Sequence, residues 1–183
     1  LKKPKICFLE GGINDLTNGI PIERTISNYS DMVDTLLHYD VKPIIMGTVL
    51  TRGYSKFITD LTPTNQFIDT LDLLLEKLAN EKKGCEFLNI NKSMSKNNNL
   101  ISTYTDDGIH LNKEGYKAWS GIIEAYLLEN DWFDESLVIV VVDDKSGNKL
   151  SRINRISSLP KSHDLFKCKG VWGTLFLYFK WFV

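Results

Sequence analysis

The alternation of two kinds of hydrophobic segment over residues 5–128 constrains the fold of this chain most strongly. Short apolar runs, typical of buried strands, are found at 5–9, 44–50 and 85–90. Elsewhere, apolar residues recur every three or four positions, which predicts helices at 21–39, at 64–78 and after Asn112. Strands that alternate with helices in this way favour a parallel sheet with helices on both faces.

This alternation stops after residue 130. We therefore divide the chain into a domain over 1–130 and a C-terminal extension over 131–183, to which the sequence assigns no role. Inside the extension, 137–142 is a continuous, largely β-branched run, and 171–183 is aromatic and apolar. The second segment is shorter than the roughly 20 residues that cross a bilayer, but its composition is compatible with contact at a membrane surface.

Size, charge and cysteine content narrow the function classes. A chain of 183 residues can bury a sizeable core, and a net charge of −1 gives no general attraction to nucleic acid, so we expect no such partner. The three cysteines are odd in number and widely spaced, which argues against a disulfide framework and a zinc site. This cysteine usage favours the cytoplasm. The first residue is Leu1 rather than methionine, so removal of a signal peptide is an open alternative and the location is not decided.

The first motif that could carry chemistry is Gly12-Ile13-Asn14-Asp15, directly after the first predicted strand. An asparagine amide at a strand end can donate a hydrogen bond to a developing oxyanion. Glycine, asparagine and aspartate also dominate ordinary turns, for backbone reasons. By itself this motif favours the turn.

The second motif is Asp107-Gly108-Ile109-His110, just before the last predicted helix. A carboxylate can hold an imidazole in the tautomer that takes a proton from a nucleophile. A separation of three residues across a glycine-containing turn lets the two side chains converge. A helix-entry loop with a hydrogen-bonded histidine explains the motif equally well, so the motif alone does not decide between the two.

Together, in this order and at this spacing, the two motifs resemble those of the SGNH/GDSL ester hydrolase family. The matching stretches are 6–16 and 105–119, and the resemblance covers roughly residues 3–128. It implies a three-layer α/β/α fold with a flavodoxin-like parallel sheet. It also implies a Ser-His-Asp mechanism that uses no metal and no cofactor.

The resemblance assigns roles to four residues. Asn14 would be an oxyanion-hole donor, His110 the general base and Asp107 the group that orients His110, while Gly12 would allow the turn that presents Asn14. In parallel sheets such sites form beyond the carboxyl ends of the strands, so we expect Asn14, Asp107 and His110 to lie at that edge.

One departure from the family pattern changes the expected activity. The family begins with a strand that leads to Gly-Asp-Ser, whose serine is the nucleophile, and the sequence before Asn14 contains no such segment. We therefore expect an N-terminally truncated fragment of a serine hydrolase that lacks its first strands and is inactive as it stands. Its substrate would be a short-chain acyl ester of a carbohydrate or lipid. The alternative is a non-catalytic remnant or binding module.

The C-terminal extension leaves further possibilities open. The run 137–142 could pair with the strand at 5–9, whose partner would be missing, or it could promote association. In the first case Ser146 could approach His110 as a substitute nucleophile. Residues 138–146 also weakly resemble the strand and acidic loop of nucleotide-sugar glycosyltransferases. His38 and His163 are weaker site candidates.

Overall fold

In a computed structural model, the chain is described over residues 4–132, together with the backbone of three later strands. The strands and helices of the first part, in chain order, are β1 Ile6–Leu9, α1 Ile13–Thr17, α2 Ile22–His38, β2 Lys42–Met46, α3 Thr62–Glu81, β3 Glu86–Leu88, α4 Asn91–Met94, β4 Ser95–Lys96, β5 Asn99–Leu100 and α5 Lys113–Glu129. The later strands are β6 Val140–Asp143, β7 Leu165–Lys169 and β8 Phe176–Lys180.

The centre of the fold is a parallel sheet in the order β1-β2-β3. Its register pairs Ile6 with Lys42 and Ile44 with Glu86, and every pairing is parallel. Parallel neighbours need a crossover between them, and the helices α2 and α3 provide these two crossovers. The predicted α/β class with a parallel sheet is therefore confirmed.

Helices cover both faces of this sheet. Successive side chains of a strand point to opposite faces, so the apolar strands have buried side chains to pack on each side. Cys7 and Leu9 of β1 pack with α2 and α3, whereas Ile6 and Phe8 pack with α5. The first core also contains Tyr29, Val33, Ile45, Leu71, Leu75 and Leu78. The second also contains Ile44, Met46, Ile90, Trp119, Ile123 and Leu127. The fold is thus three-layered, as predicted.

The predicted second strand, 44–50, is wrong at its carboxyl end, since β2 stops at Met46. The Gly47 amide still donates to the Leu88 carbonyl of β3 at 3.0 Å, but the amides of Thr48, Leu50 and Thr51 are bound by side chains. The amide of Thr48 donates to Asp72 Oδ1 at 2.8 Å, and the amide of Thr51 donates to Asn65 Oδ1 at 2.8 Å. These contacts hold residues 47–51 as an ordered loop at the carboxyl edge of the sheet.

Two other segments also differ from the sequence prediction. The stretch 91–106, for which the sequence predicts no helix or strand, contains the short helix α4 and the antiparallel pair β4–β5. The helix α1 was not predicted, because five residues carry no helical periodicity. The helices α2, α3 and α5 lie where their apolar stripes predict them, and Asn112 caps α5 by accepting from Glu114 N and Gly115 N.

The strand β6 pairs antiparallel with β8, which in turn pairs with β7. Its backbone comes within 8 Å of β1 (Cα–Cα), but the two are not hydrogen-bonded neighbours in a sheet. Of the two outcomes expected for this run, pairing with β1 is therefore wrong, while association with another molecule stays a prediction. Residues 137–139, Ser146 and His163 lie outside the described residues, as does most of the stretch compared with glycosyltransferases.

Cys7 and Cys85 are both buried, and neither is joined in a disulfide. Among the residues that the structure describes, no helix combines the length and the apolar character needed to cross a membrane.

A matched pair of leucines on α3 tests the packing of the first core. Leu71 is fully buried, whereas Leu73 is 67% exposed. Leu71→Ala should lower the free energy of unfolding by about 2–5 kcal/mol, because it removes buried methyl groups and leaves a cavity. Leu73→Ala should change it by less than about 0.5 kcal/mol. Urea denaturation of both variants measures the difference, and equal effects would contradict this orientation of α3.

Candidate active site

Asp107 and His110 form a hydrogen-bonded pair in the turn before α5. Asp107 Oδ2 lies 2.6 Å from His110 Nδ1, and Asp107 Oδ1 accepts from the amides of Ile109 and His110, both at 2.8 Å. The carboxylate thus fixes both the turn and the ring. The His110 side chain is 62% exposed, so its outer edge is accessible to a reacting group.

The same contacts determine the charge of Asp107. Partial burial alone would raise its pKa, but the hydrogen bond from His110 and the two backbone amides outweigh this. The pKa of Asp107 is therefore held well below its usual range. This carboxylate is ionised at neutral pH and can stabilise a positive charge on His110.

Gly108 is required by the way this turn packs. Its φ is +95°, a conformation that side chains rarely adopt. A Cβ here would overlap the carbonyl oxygen of Tyr54 and lie 3.1 Å from Ser55 Cα. The amide of Arg52 also donates to the Gly108 carbonyl at 2.8 Å. The loop after β2 therefore packs, main chain against main chain, on the turn that holds His110.

Asn14 lies in the first turn of the short helix α1, not in a turn that continues β1. Its side chain is half-buried and makes no hydrogen bond to another residue in the described part of the chain. The amide can therefore donate to a ligand. Gly12 precedes it with φ +112°, and a Cβ at Gly12 would lie 2.6 Å from Leu71 Cδ2. Gly12 thus permits both the turn and its close packing on α3.

One short segment links the two motifs. The Thr48 hydroxyl donates to the Gly11 carbonyl at 2.9 Å, and the Arg52 amide donates to the Gly108 carbonyl at 2.8 Å. Four residue steps span at most about 14 Å even when fully extended. The turn before Asn14 and the turn that holds His110 therefore both contact residues 48–52, the loop at the carboxyl edge of the sheet.

The side chains that shape this loop were not predicted from the sequence. Asn65 and Asp72 of α3 and Asn91 of α4 bind the backbone of residues 48–51. Asn65 lies three residues before Ile68 on the buried stripe of its helix, so a buried polar residue at that position was a usable signal. For Asp72 and Asn91 no sequence pattern indicated a role, because their partners are backbone groups distant in sequence.

Other candidates play no part in this arrangement. His38 is exposed at the end of α2 and packs edge-on against Tyr39, with ring centroids 5.0 Å apart. Within the described residues, no three histidine, cysteine or acidic side chains cluster as metal ligands would.

Comparison with known proteins identifies the family. The model of the GDSL-like lipase/acylhydrolase family matches residues 1–118, well over half of the chain. The chain belongs to this family. The resemblance recognised in the sequence is therefore confirmed. The individual roles of Asn14, Gly12, Asp107 and His110 stay predictions.

One relative of this GDSL-like chain is an N-acylneuraminate cytidylyltransferase from Streptococcus agalactiae. The two are 28% identical over 107 residues, which are 58% of this chain and 24% of the relative. The matched part is therefore about a quarter of that protein.

Two solved structures share the fold of this GDSL-like domain. One is a GDSL-like lipase from Bacteroides thetaiotaomicron, with a TM-score of 0.60 and 23% identity over 69% of this chain and 63% of that one. The other, a Bacteroides fragilis protein assigned as an acylhydrolase, has a TM-score of 0.60 and 23% identity over 69% of this chain and 62% of its own. The chain thus spans less than two thirds of each.

A pair of glycines tests the packing of the His110 turn. Gly108→Ala should lower the free energy of unfolding by at least about 1–3 kcal/mol, because it combines a strained φ with a backbone overlap. Gly121, exposed on α5 with nothing within 4 Å of the position that a Cβ would take, serves as the control. Gly121→Ala should be neutral or stabilising by about 0.5–1 kcal/mol. Thermal or urea unfolding distinguishes the two, and a harmless Gly108→Ala would contradict the described turn.

The low pKa of Asp107 predicts a pH dependence of stability. Because the folded pKa lies below the unfolded value of about 3.9, Asp107 stabilises the fold above that pH. The contribution is lost as the pH falls through the folded pKa. Asp107→Asn should therefore destabilise the chain more at pH 7 than at pH 3 in urea denaturation. Asp31→Asn, on the exposed side of α2, should change stability little at either pH. An effect of Asp107→Asn that does not vary with pH would refute the proposed charge.

Proposed function

We propose that this chain supplies the oxyanion donor and the general base of a serine ester hydrolase. The observation that supports this best is the 2.6 Å contact between Asp107 Oδ2 and His110 Nδ1, with the imidazole exposed at the edge of the sheet. With its proton on Nδ1, the ring directs the lone pair of Nε2 outward. His110 would act as the base, Asp107 would orient it, and Asn14, presented by Gly12, would donate to the oxyanion.

The chemistry proposed for the complete site follows from these roles. His110 takes the proton of a serine hydroxyl while its oxygen attacks the ester carbonyl, and the Asn14 amide stabilises the resulting oxyanion. Collapse of this intermediate expels the alcohol, which takes the proton from His110. Water then releases the acyl group by the same steps. This reaction needs no metal and no cofactor.

The serine is the part that we propose comes from elsewhere. By resemblance to the family, it would follow a strand that precedes the segment described here, next to β1. We therefore propose that residues 1–130 are part of a hydrolase domain and that the 183-residue chain by itself is inactive. The role of 131–183 is not assigned.

We propose a short-chain acyl ester of a carbohydrate or lipid as the substrate, and no nucleic acid as a partner. The Streptococcus agalactiae relative is named for an acylated sugar acid, which favours the carbohydrate. Beside the Gly108 turn, the loop after β2 exposes Tyr54, Phe57 and Ile58, with Phe57 91% exposed. These side chains offer apolar surface to an acyl group or to the face of a sugar ring.

An ester assay on the chain as given tests the inactivity. We expect no hydrolysis of p-nitrophenyl acetate above background, because the base lacks a proton donor that becomes the nucleophile. Turnover that survives Ser146→Ala but is lost in His110→Ala would reveal another nucleophile and contradict this expectation. Turnover lost in both variants would assign the nucleophile to Ser146.

A longer form of the protein distinguishes an enzyme from a binding module. We expect the gene upstream of Leu1 to encode a strand followed by Gly-Asp-Ser. The protein extended by that segment should hydrolyse p-nitrophenyl acetate, and His110→Ala should lower kcat by about 10⁴-fold or more. His38→Ala is the matched control and should leave activity unchanged. Absence of the serine segment, or full activity of His110→Ala, would favour the non-catalytic remnant or binding module.

A further inference from the structure

Asp72 of α3 belongs to neither motif but binds the loop that follows β2. Its Oδ1 accepts from the Thr48 amide at 2.8 Å, and its Oδ2 accepts from Asn91 Nδ2 at 3.1 Å. Gly47 makes room for it, since a Cβ there would lie 2.7 Å from Asp72 Oδ2. A carboxylate with both oxygens occupied by donors is therefore built into the carboxyl edge of the sheet.

The orientation of Asn91 explains why this group is an aspartate and not an asparagine. Asn91 Nδ2 also donates to the Thr48 carbonyl at 2.8 Å, and Asn91 Oδ1 accepts from the Leu50 amide at 3.3 Å. The Asn91 amide group cannot rotate without losing both bonds, so its NH₂ must face position 72. The Thr48 amide is a donor as well. Position 72 therefore needs two acceptors, which a carboxylate provides and an amide does not.

Thr48 connects this carboxylate to the turn before Asn14. Its backbone amide binds Asp72, and its hydroxyl donates to the Gly11 carbonyl at 2.9 Å. The same carbonyl accepts from the Tyr29 hydroxyl at 3.2 Å. Leu71, next to Asp72 on α3, supports Gly12 from below. Two consecutive residues of α3 thus fix the segment 11–14.

We propose that Asp72 is a positioning residue, which acts through Thr48 and the Gly11 carbonyl to set the place of the Asn14 amide. We call the chain of contacts from Asp72 through Thr48 to Gly11 the Asp72 clamp. Its functional meaning rests on the oxyanion role proposed for Asn14, but the contacts of the clamp can be measured without any ester.

The electrostatic surroundings make the clamp sensitive to pH. Burial raises the pKa of Asp72 to about 6, against the opposing effect of the two hydrogen bonds it accepts. The nearby carboxylates of Asp69 and Glu76 on α3 act in the same direction as burial. Tyr29 donates to the Gly11 carbonyl at the other end of the clamp. Burial is the main cause that raises the pKa of Tyr29, and the charges of Glu10, Asp72 and Asp15 add to it, so its hydroxyl stays a donor at neutral pH. The group from α4, Asn91, is uncharged.

Backbone amide NMR of the full chain, whose mass is 20.9 kDa, tests the clamp. Between pH 8 and pH 4.5 the Thr48 amide signal should shift with a midpoint near 6, and the signals of residues 12–14 should shift with the same midpoint. Imidazole groups titrate in this range too. Asp72→Asn leaves every imidazole in place, so loss of the shifts in this variant assigns them to Asp72.

Two matched variants complete the experiment. Glu76→Gln removes the same charge from an exposed position on the same helix and should keep both sets of shifts, with their common midpoint lowered, because the Glu76 charge raises the pKa of Asp72. Thr48→Val removes the hydroxyl but keeps the amide, so residue 48 should still titrate while residues 12–14 should not. If Asp72→Asn does not fold, the comparison of wild type with Thr48→Val carries the test.

The proposal is overturned if residues 12–14 do not follow the titration of residue 48, or if they titrate unchanged in Asp72→Asn. An inactive longer protein together with an intact clamp would count against the ester hydrolase proposal alone. Shifts confined to residue 48 would count against the clamp alone, since Asp72 would then be a local structural group.

Discussion

The burial of β1 and β2 on both faces is the constraint on which the rest of this structure depends. Ile6, Phe8, Ile44 and Met46 face α5, while the residues between them face α2 and α3. A sheet covered by helices on both faces is typically parallel, because each helical crossover returns the chain to the end of the sheet where the previous strand began. All three strands therefore end at one edge, where glycine-containing and polar segments can meet.

Sequence periodicity was sufficient to predict this framework. The helices α2, α3 and α5 were located by the spacing of their apolar residues, and the strands β1 and β2 by short, continuous apolar runs. The end of β2 was not, since Val49 and Leu50 continue the apolar run while the backbone amides around them bind Asp72, Asn91 and Asn65. Hydrogen bonds from distant side chains leave no local pattern. The short elements α1, α4, β4 and β5 could not be predicted, because each has too few residues to show a period.

The candidate site was predictable to a similar extent. Asp107 and His110 are close in sequence, so their contact needs only the intervening turn, and Asn14 follows a strand that periodicity locates. The segment that connects the two motifs was not predictable, because Thr48 and Arg52 act through one hydroxyl and one backbone amide. Asp72 was missed because α3 buries it only partly, beside Leu71 and away from any recognisable motif.

The contact between Gly108 and the loop after β2 has a consequence for how this surface can diverge. Gly108 has no side chain, and the atoms it meets are the carbonyl oxygen of Tyr54 and the Cα of Ser55. Tyr54, Phe57 and Ile58 can therefore change their side chains without altering this main-chain contact, whereas the Ser55 hydroxyl accepts from the amides of Phe57 and Ile58 and holds the loop. The loop can therefore vary its side chains beside His110 while the turn beneath stays the same.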